Sequence, residues 1–266
     1  MRLFVSIVSH GHEELIADNH PLQQLAAIDG VEVVVRDNQG SARLQEQARV
    51  DGYHYQVSTS PLGFGANNNA VFKYCGSALE MRSEDYFCLL NPDLLVNPDT
   101  LMAVVNEVEQ RQARMATINL YQDRDFTRAD LNIKRFPSLL DFAQGFLCGA
   151  NPAAYDKLDI AEPLEVDWAS GAFLLFRADL YQQLGGFDGR FFMYLEDVDI
   201  CRRARDQFGE RLLYLPQFNA VHLCQQANKG VFSKHFLWFL SSMFKYFFKH
   251  GWKKPLDGAV QTVPKN

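Results

Sequence analysis

The 266-residue chain contains no apolar run that approaches the roughly 20 residues needed to cross a bilayer. It is poor in cysteine. The five present, Cys75, Cys88, Cys148, Cys201 and Cys224, are odd in number, scattered, and never spaced Cys-x-x-Cys. That pattern excludes a disulfide framework and a structural zinc site, and fits reduced thiols in a cytoplasmic setting. Internal repeats and low-complexity segments are absent. Lys and Arg are not clustered over the chain as a whole, and the net charge is -6. A general nucleic-acid binder, which must neutralise phosphates, is therefore not expected. One local absence runs the other way: residues 229–254 hold six lysines and no Asp or Glu. The rest of the composition, 47% hydrophobic and 22% charged, is that of an ordinary globular protein. The length suffices for one large α/β domain or two small ones. The opening Met1–Val8 stretch is too short for a signal peptide and meets His10, Gly11, His12, Glu13 and Glu14 at once, so it reads as a first strand. A soluble or peripheral protein is expected.

Strand and helix patterns alternate in the first half. Strands are predicted over 3–8, 31–36, 53–57 and 86–90, and helices over 13–28, 41–50, 67–79 and 98–111, the last with Asn97 as N-cap. Such units imply a largely parallel sheet covered on both faces, with ligands at the carboxyl ends of its strands. Polar residues stand at those ends: Ser9-His10, Asp37-Asn38 and Asn91-Pro92-Asp93. Residues 123–163 read as a long irregular excursion. Beyond it, 166–176 is strand-like with a break at Ser170-Gly171, short helices are predicted over 178–184 and 196–206, and a strand over 211–215.

Several constellations carry possible chemistry. Asp93, just past a buried strand, suits a hard divalent cation whose remaining positions are filled by phosphate and water, although Asn-Pro-Asp is also strong turn chemistry. Glu196, Asp197 and Asp199 crowd three carboxylates behind an aromatic run, Phe191 to Leu195. They suit a metal, a base at the rim of an apolar pocket, or simply a helix start favoured by the dipole. Gly63-Phe64-Gly65 lets backbone approach a ligand ahead of a helix. It lacks the third glycine and the first-strand position of a dinucleotide fingerprint, which counts against an oxidoreductase. His222 gains meaning as a metal ligand only with a partner such as Asp93. The basic 229–254 stretch, with Phe232, Phe236, Phe239, Phe244, Phe247 and Phe248, reads as an amphipathic helix. It suits a membrane surface, a face packed on the catalytic domain, or a homodimer contact.

Taken in order, Val8-Ser9-His10-Gly11-His12, Val35-Arg36-Asp37-Asn38, Gly63 to Asn69, Leu90-Asn91-Pro92-Asp93, Asp167 to Ala172 and Gly186 to Asp199 resemble the motifs of inverting glycosyltransferases of family 2. Within that family the chain looks like bacterial rhamnosyltransferases of O-antigen and cell-wall polysaccharide. The resemblance implies an α/β GT-A fold over 1–225, with a nucleotide half (1–112) and an acceptor half (113–225), followed by a basic amphipathic helical segment (226–266). It implies that Ser9, Asp37, Asn68, Asn69 and Asn91 lie around the nucleotide sugar. Asp93 and His222 would hold Mg²⁺ or Mn²⁺. Asp197 matches the catalytic base, and Trp168, Gly171 and Glu196 the acceptor side. The implied partners are a nucleotide-diphosphate sugar, with dTDP-rhamnose expected, and a polyprenyl-diphosphate-linked acceptor at the inner face of the cell membrane. In one respect the chain departs from the family: Asn91 stands where its Asp-x-Asp motif has the first acid, which leaves a neutral and weaker ligand there.

Overall fold

The computed structural model describes residues 1–19, 22–148, 153–223 and 234–252. Along the chain run β1 (Leu3–Ser9), α1 (Glu13–Asn19), α2 (Leu22–Ala26), β2 (Val31–Asp37), α3 (Ala42–Asp51), β3 (His54–Val57), α4 (Phe64–Ala78), β4 (Tyr86–Leu90), β5 (Leu94–Leu95) and α5 (Pro98–Gln110). The second half holds β6 (Met115–Tyr121), β7 (Ile133–Lys134), α6 (Leu139–Cys148), a 3₁₀ turn (Lys157–Asp159), β8 (Leu164–Val166), β9 (Trp168–Ala169), β10 (Phe173–Arg177), α7 (Ala178–Gln183), α8 (Glu196–Phe208), β11 (Leu212–His222) and α9 (Lys234–His250).

The main sheet has the order β3-β2-β1-β4-β10-β6-β11-β5, with β8 beside β11. Strands β3, β2, β1 and β4 are parallel, as the strand-helix alternation requires. The second half is mixed: β10 runs antiparallel to both β4 and β6, while β6 and β11 are parallel. Side chains of β1 alternate between two cores. Leu3, Val5 and Ile7 join Val33, Val35, Leu101 and Val104 on one face. Phe4 joins Val34, Val71, Phe87, Phe176, Tyr181, Val198 and Phe247 on the other.

Local chemistry sets the helix ends. Ser41 caps α3 by accepting from the Leu44 N–H, and Gly52 closes it in the left-handed region. Asn97 caps α5 by accepting from the Asp99 N–H, with Pro98 in the first turn. Four sequence expectations are corrected. The single helix predicted over 13–28 is two helices, α1 and α2, as a sequence with Pro21 in its middle demands. Helix α4 begins at Phe64, three residues earlier than predicted. The excursion after Asp123 carries a helix, α6, and the strand β6 before it had no reading in the sequence. Strand β11 continues to His222, because a register shift between Leu215 and Asn219 absorbs Pro216, which has no N–H for the ladder. Of the basic C-terminal stretch, Lys229, Phe232, Lys253 and Lys254 lie outside the described residues, as does Cys224.

Candidate active site

Sheet register gathers the polar strand ends. Ser9 pairs with Asp37 at the last step of the β1–β2 ladder, and Ile7 pairs with Leu90 in β4. The antiparallel strand β10 brings the 170–172 turn to the same edge, where the Asn91 N–H donates to the Ala172 carbonyl at 3.0 Å. On the far side His222 pairs with Leu94, which sets its ring beside Asp93.

Around the ends of β1 and β2, buried polar groups hold loops in shape. The Asp37 carboxylate is 1% exposed and accepts from the Gln39 N–H, the Ser41 N–H (2.6 Å) and the Tyr55 hydroxyl (3.0 Å). Ser9 accepts from the Asn38 N–H through its carbonyl and from the His12 N–H through Oγ. The three asparagines of α4 point three ways, since successive helical residues are about 100° apart. Asn67 faces the loops after β2 and before α4, accepting from Arg36 Nε at 3.0 Å and donating to Asn38 Oδ1 and the Leu62 and Gly63 carbonyls. Asn68 turns under β1, where its Oδ1 accepts from Ser6 Oγ at 2.7 Å. Asn69 grips the 187 turn: Oδ1 accepts from the Phe187 N–H and the Tyr181 hydroxyl, and Nδ2 donates to the Phe187 carbonyl. Asn68 and Asn69, expected beside the donor, thus have their amides engaged with protein.

The glycines of the 63–65 loop also differ from their sequence reading. A Cβ on Gly63 would sit 1.8 Å from the Phe192 carbonyl oxygen, and one on Gly65 2.6 Å from Phe187 Cβ. The close approach they allow is to the 187–192 segment of the protein itself, so packing explains them without a ligand.

At the centre of the edge, His222 Nδ1 meets Asp130 at 2.6 Å, and Nε2 lies 3.4 Å from Asp93. A proton on Nδ1, directed at Asp130, leaves the Nε2 lone pair facing Asp93. That is how a metal-ligating histidine is commonly oriented by a carboxylate behind it. One carboxylate oxygen and one imidazole nitrogen side by side fit a hard or borderline divalent cation whose other ligands are diphosphate oxygens and water. Among the described residues no group of three or more His, Cys, Asp or Glu side chains is placed to hold a metal. His12 also feels the Asp93 charge, though burial dominates and holds its imidazole below the ordinary value. Lys157 donates to Asn119, the Leu120 carbonyl and Asn132 beneath this site. Burial pushes its pKa down to about 8, with Asp130 opposing.

On the opposite side of the edge the chain enters α8 through two consecutive non-glycine residues in the left-handed region, Tyr194 (φ 71°) and Leu195 (φ 65°). Strained backbone of this kind persists only where its surroundings fix it. Glu196 and Asp197 follow. Asp197 accepts from the Val198 N–H at 2.8 Å and the Gly171 N–H at 3.1 Å. Burial raises its pKa, and Lys134 acts against that rise. Glu196 is 5% exposed, and its Oε2 has no hydrogen-bond partner among the described residues. Burial, then the adjacent Asp197, raises its pKa, so the pair prefers to keep one proton. Trp168 is buried, donates from Nε1 to the Arg135 carbonyl at 2.9 Å, and carries the Lys134 ammonium 4.9 Å above its ring. Gly171 has no room for a side chain, because a Cβ would meet the Phe64 ring at 2.8 Å.

The structure therefore brings Asp93 and His222 together, and Asp197, Glu196 and Gly171 together. Lys134 and Asp130 had no role in the sequence reading, since both lie in the excursion whose pattern gave no element. Asn67 and Arg36 stood inside quoted motifs, but without the helix phase nothing set Asn67 apart from its two neighbours.

Three comparisons place the chain among known proteins. The model of the family described as "Glycosyltransferase like family 2" matches residues 22–241. The rhamnosyltransferase WbbL of Escherichia coli K12 is 36% identical over 246 residues, covering 92% of both chains. An N-acetylglucosaminyl-diphospho-decaprenol L-rhamnosyltransferase of Mycobacterium tuberculosis is 30% identical over 213 residues, 74% of this chain and 68% of that protein. Among solved structures, a mannosyltransferase of Pyrobaculum calidifontis in complex with GDP-Man and Mn²⁺ superposes with a TM-score of 0.58 over 96% of this chain and 66% of that one, at 18% identity. S. aureus TarS superposes with a TM-score of 0.55 at 15% identity, this chain spanning 36% of its length. These structural likenesses identify the fold as GT-A. With the family model and the two rhamnosyltransferases, they establish that the chain belongs to glycosyltransferase family 2.

Proposed function

We propose that the chain transfers L-rhamnose from dTDP-rhamnose to a saccharide carried on a polyprenyl diphosphate, in the synthesis of a cell-surface polysaccharide such as O-antigen. The observation that carries the reading is the buried Glu196–Asp197 pair, its basicity raised, at the wall built by Gly171 and Trp168. The two rhamnosyltransferase relatives support the choice of sugar. The printed name of the mycobacterial one supports a polyprenyl-diphosphate acceptor.

In the proposed reaction the acceptor oxygen attacks the anomeric carbon while its proton passes to Asp197. The new C–O bond forms as the bond to the diphosphate breaks, and the anomeric centre inverts because no covalent intermediate intervenes. Asp197 must be ionised to accept the proton. The N–H groups of Gly171 and Val198 and the charge of Lys134 favour that form, while burial keeps it basic. Burial, and then the adjacent Asp197, favour the neutral form of Glu196. Asp93 and His222 Nε2 would hold Mg²⁺ or Mn²⁺, with Asn91 beside them. When bound there, the cation would offset the charge of the leaving diphosphate. The Mn²⁺ in the mannosyltransferase complex supports a divalent cation as the cofactor.

No helix among the described residues is long and apolar enough to cross a membrane. A peripheral site on the inner leaflet is proposed from the outer face of α9, where Leu237, Phe244 and Phe248 are exposed in a stripe that reaches Trp252. A second reading keeps the enzyme and changes the donor: TarS is solved with UDP-GlcNAc, so a UDP-sugar is the competing substrate. A thermal-shift panel of nucleotide sugars with Mn²⁺ and Mg²⁺ decides. The expected result is a selective shift with dTDP-rhamnose. A larger shift with a UDP-sugar overturns the donor assignment, and no shift with any nucleotide sugar overturns the site.

A further inference from the structure

Helix α9 is more than a covering for the second core. One of its faces carries Leu237, Phe244 and Phe248, all exposed. The other lies on the segment that delivers the catalytic carboxylates. His235 Nδ1 meets the Tyr194 hydroxyl at 2.9 Å. Ser242, 1% exposed, donates from Oγ to the Met193 carbonyl at 2.8 Å. Lys245 donates to the Arg190 carbonyl at 2.8 Å. Lys249 reaches Asp188 and Asp199, each at 2.6 Å, and His250 reaches Asp199 at 2.7 Å. The spacing 235, 242, 245, 249 keeps these groups on one side of a 3.6-residue helix. Their targets, residues 188 to 199, bracket the two left-handed residues Tyr194 and Leu195 and the Glu196–Asp197 pair.

No glycine occupies the two left-handed positions, so local preference does not hold this backbone. The α9 side chains take that role, fastening both ends of the segment and its strained middle. We propose that α9 is a brace for the catalytic base: His235 and Ser242 are positioning residues that hold the 193–195 backbone so that Asp197 stays against Gly171. The inference rests on the assignment of Asp197 as base.

The test uses the full chain with His235→Phe and Ser242→Ala combined. Hydrogen exchange is followed across 190–197 beside steady-state transfer. The brace predicts amide exchange in 190–197 faster by about 10-fold, with the β1 and β4 amides unchanged. It also predicts kcat lower by about 10-fold with the donor KM within about twofold, because displacement of a catalytic group costs turnover more than binding. Ser242→Thr, which keeps the hydroxyl, restores both readouts in the presence of His235. Exchange equal to wild type in 190–197 overturns the brace, and so does faster exchange with unchanged kcat. Should the double variant lose its fold, Lys245→Met removes a single exposed link and is held to the same two readouts with smaller changes. A wild-type chain that transfers no sugar would overturn the proposed function instead, while the exchange measurement still decides whether α9 fixes the segment.

Discussion

The two halves of the active edge use their buried polar groups in opposite ways. In the half built on β1 and β2, Asp37 accepts three hydrogen bonds and Asn67 makes four, all within the protein. Those groups are satisfied before any ligand arrives, as buried polar groups usually are. In the half that carries α8, Glu196 keeps a carboxylate oxygen without a hydrogen-bond partner among the described residues, and the backbone ahead of it is left-handed at two non-glycine positions. The first half is held in shape by its own hydrogen bonds. The second stores strain and shifted acidity, and these are the properties a proton-accepting site needs.

Substitutions can break this contrast. The largest effect is expected for Asp197→Asn, which keeps the shape and removes the proton acceptor. Turnover should fall by about 10³-fold, within the range for loss of a general base, while nucleotide-sugar binding measured by calorimetry stays near wild type. Retained turnover would move the base elsewhere. Asp130→Asn comes next. It weakens the partner that orients His222, and Mn²⁺ affinity measured by EPR titration should drop by about 10-fold; unchanged affinity would separate His222 from the cation. Smaller again is Gly63→Ala. The new methyl would collide with the Phe192 carbonyl oxygen, 1.8 Å away, so the two halves must shift apart where they meet. A cost of about 1–3 kcal/mol is expected for such overpacking, read as a fall in Tm with the apparent donor affinity also reduced. A fully stable Gly63→Ala protein would show that the halves are not locked together at this point.

The same contrast explains what was legible in the sequence. Strand ends in a parallel α/β sheet follow from pattern alone, so the sequence itself puts Ser9, Asp37 and Asp93 at one edge. The phase of a helix could not be read from three identical residues, and Asn67, Asn68 and Asn69 separate only when Ser6, Arg36 and Phe187 are in position around them. Gly63 and Gly65 show a further limit. A glycine signals close approach without saying to what, and here the neighbour is the protein's own 187–192 segment. Lys134 and Asp130 were invisible because the excursion that carries them has no periodicity. The basic stretch of the C-terminal helix leaves a membrane surface, packing on the domain and a homodimer contact equally open by composition; in the structure Lys249 reaches Asp188 and Asp199, and Lys245 donates to the Arg190 carbonyl at the surface. Composition gives the charge of a helix face but not the direction in which long flexible side chains fold.

The smallest effect tests the acidity of the second half directly. Burial and Asp197 push the Glu196 carboxyl up to about 8, against roughly 4.3 in an unfolded chain. A folded value above the unfolded one means that the stabilising form is the protonated one. That contribution is complete below about pH 4.3 and is lost as pH rises toward about 8. Wild-type stability should therefore decline over that interval through this residue. Glu196→Gln, neutral at every pH and close in shape, should remove the decline. At pH 8.5 the variant is expected to melt a few degrees above wild type, since about 1 kcal/mol corresponds to roughly 2–4 °C in a chain of this size. At pH 4.5 the advantage should vanish. Asp37→Asn is the counterpart in the first half: its carboxylate accepts from two N–H groups and a hydroxyl, so the substitution should destabilise at pH 8.5, where Glu196→Gln stabilises. Melting curves of both variants at the two pH values measure the contrast in one experiment. Two variants that shift in the same direction at pH 8.5 would show that the second half does not hold the raised basicity assigned to it.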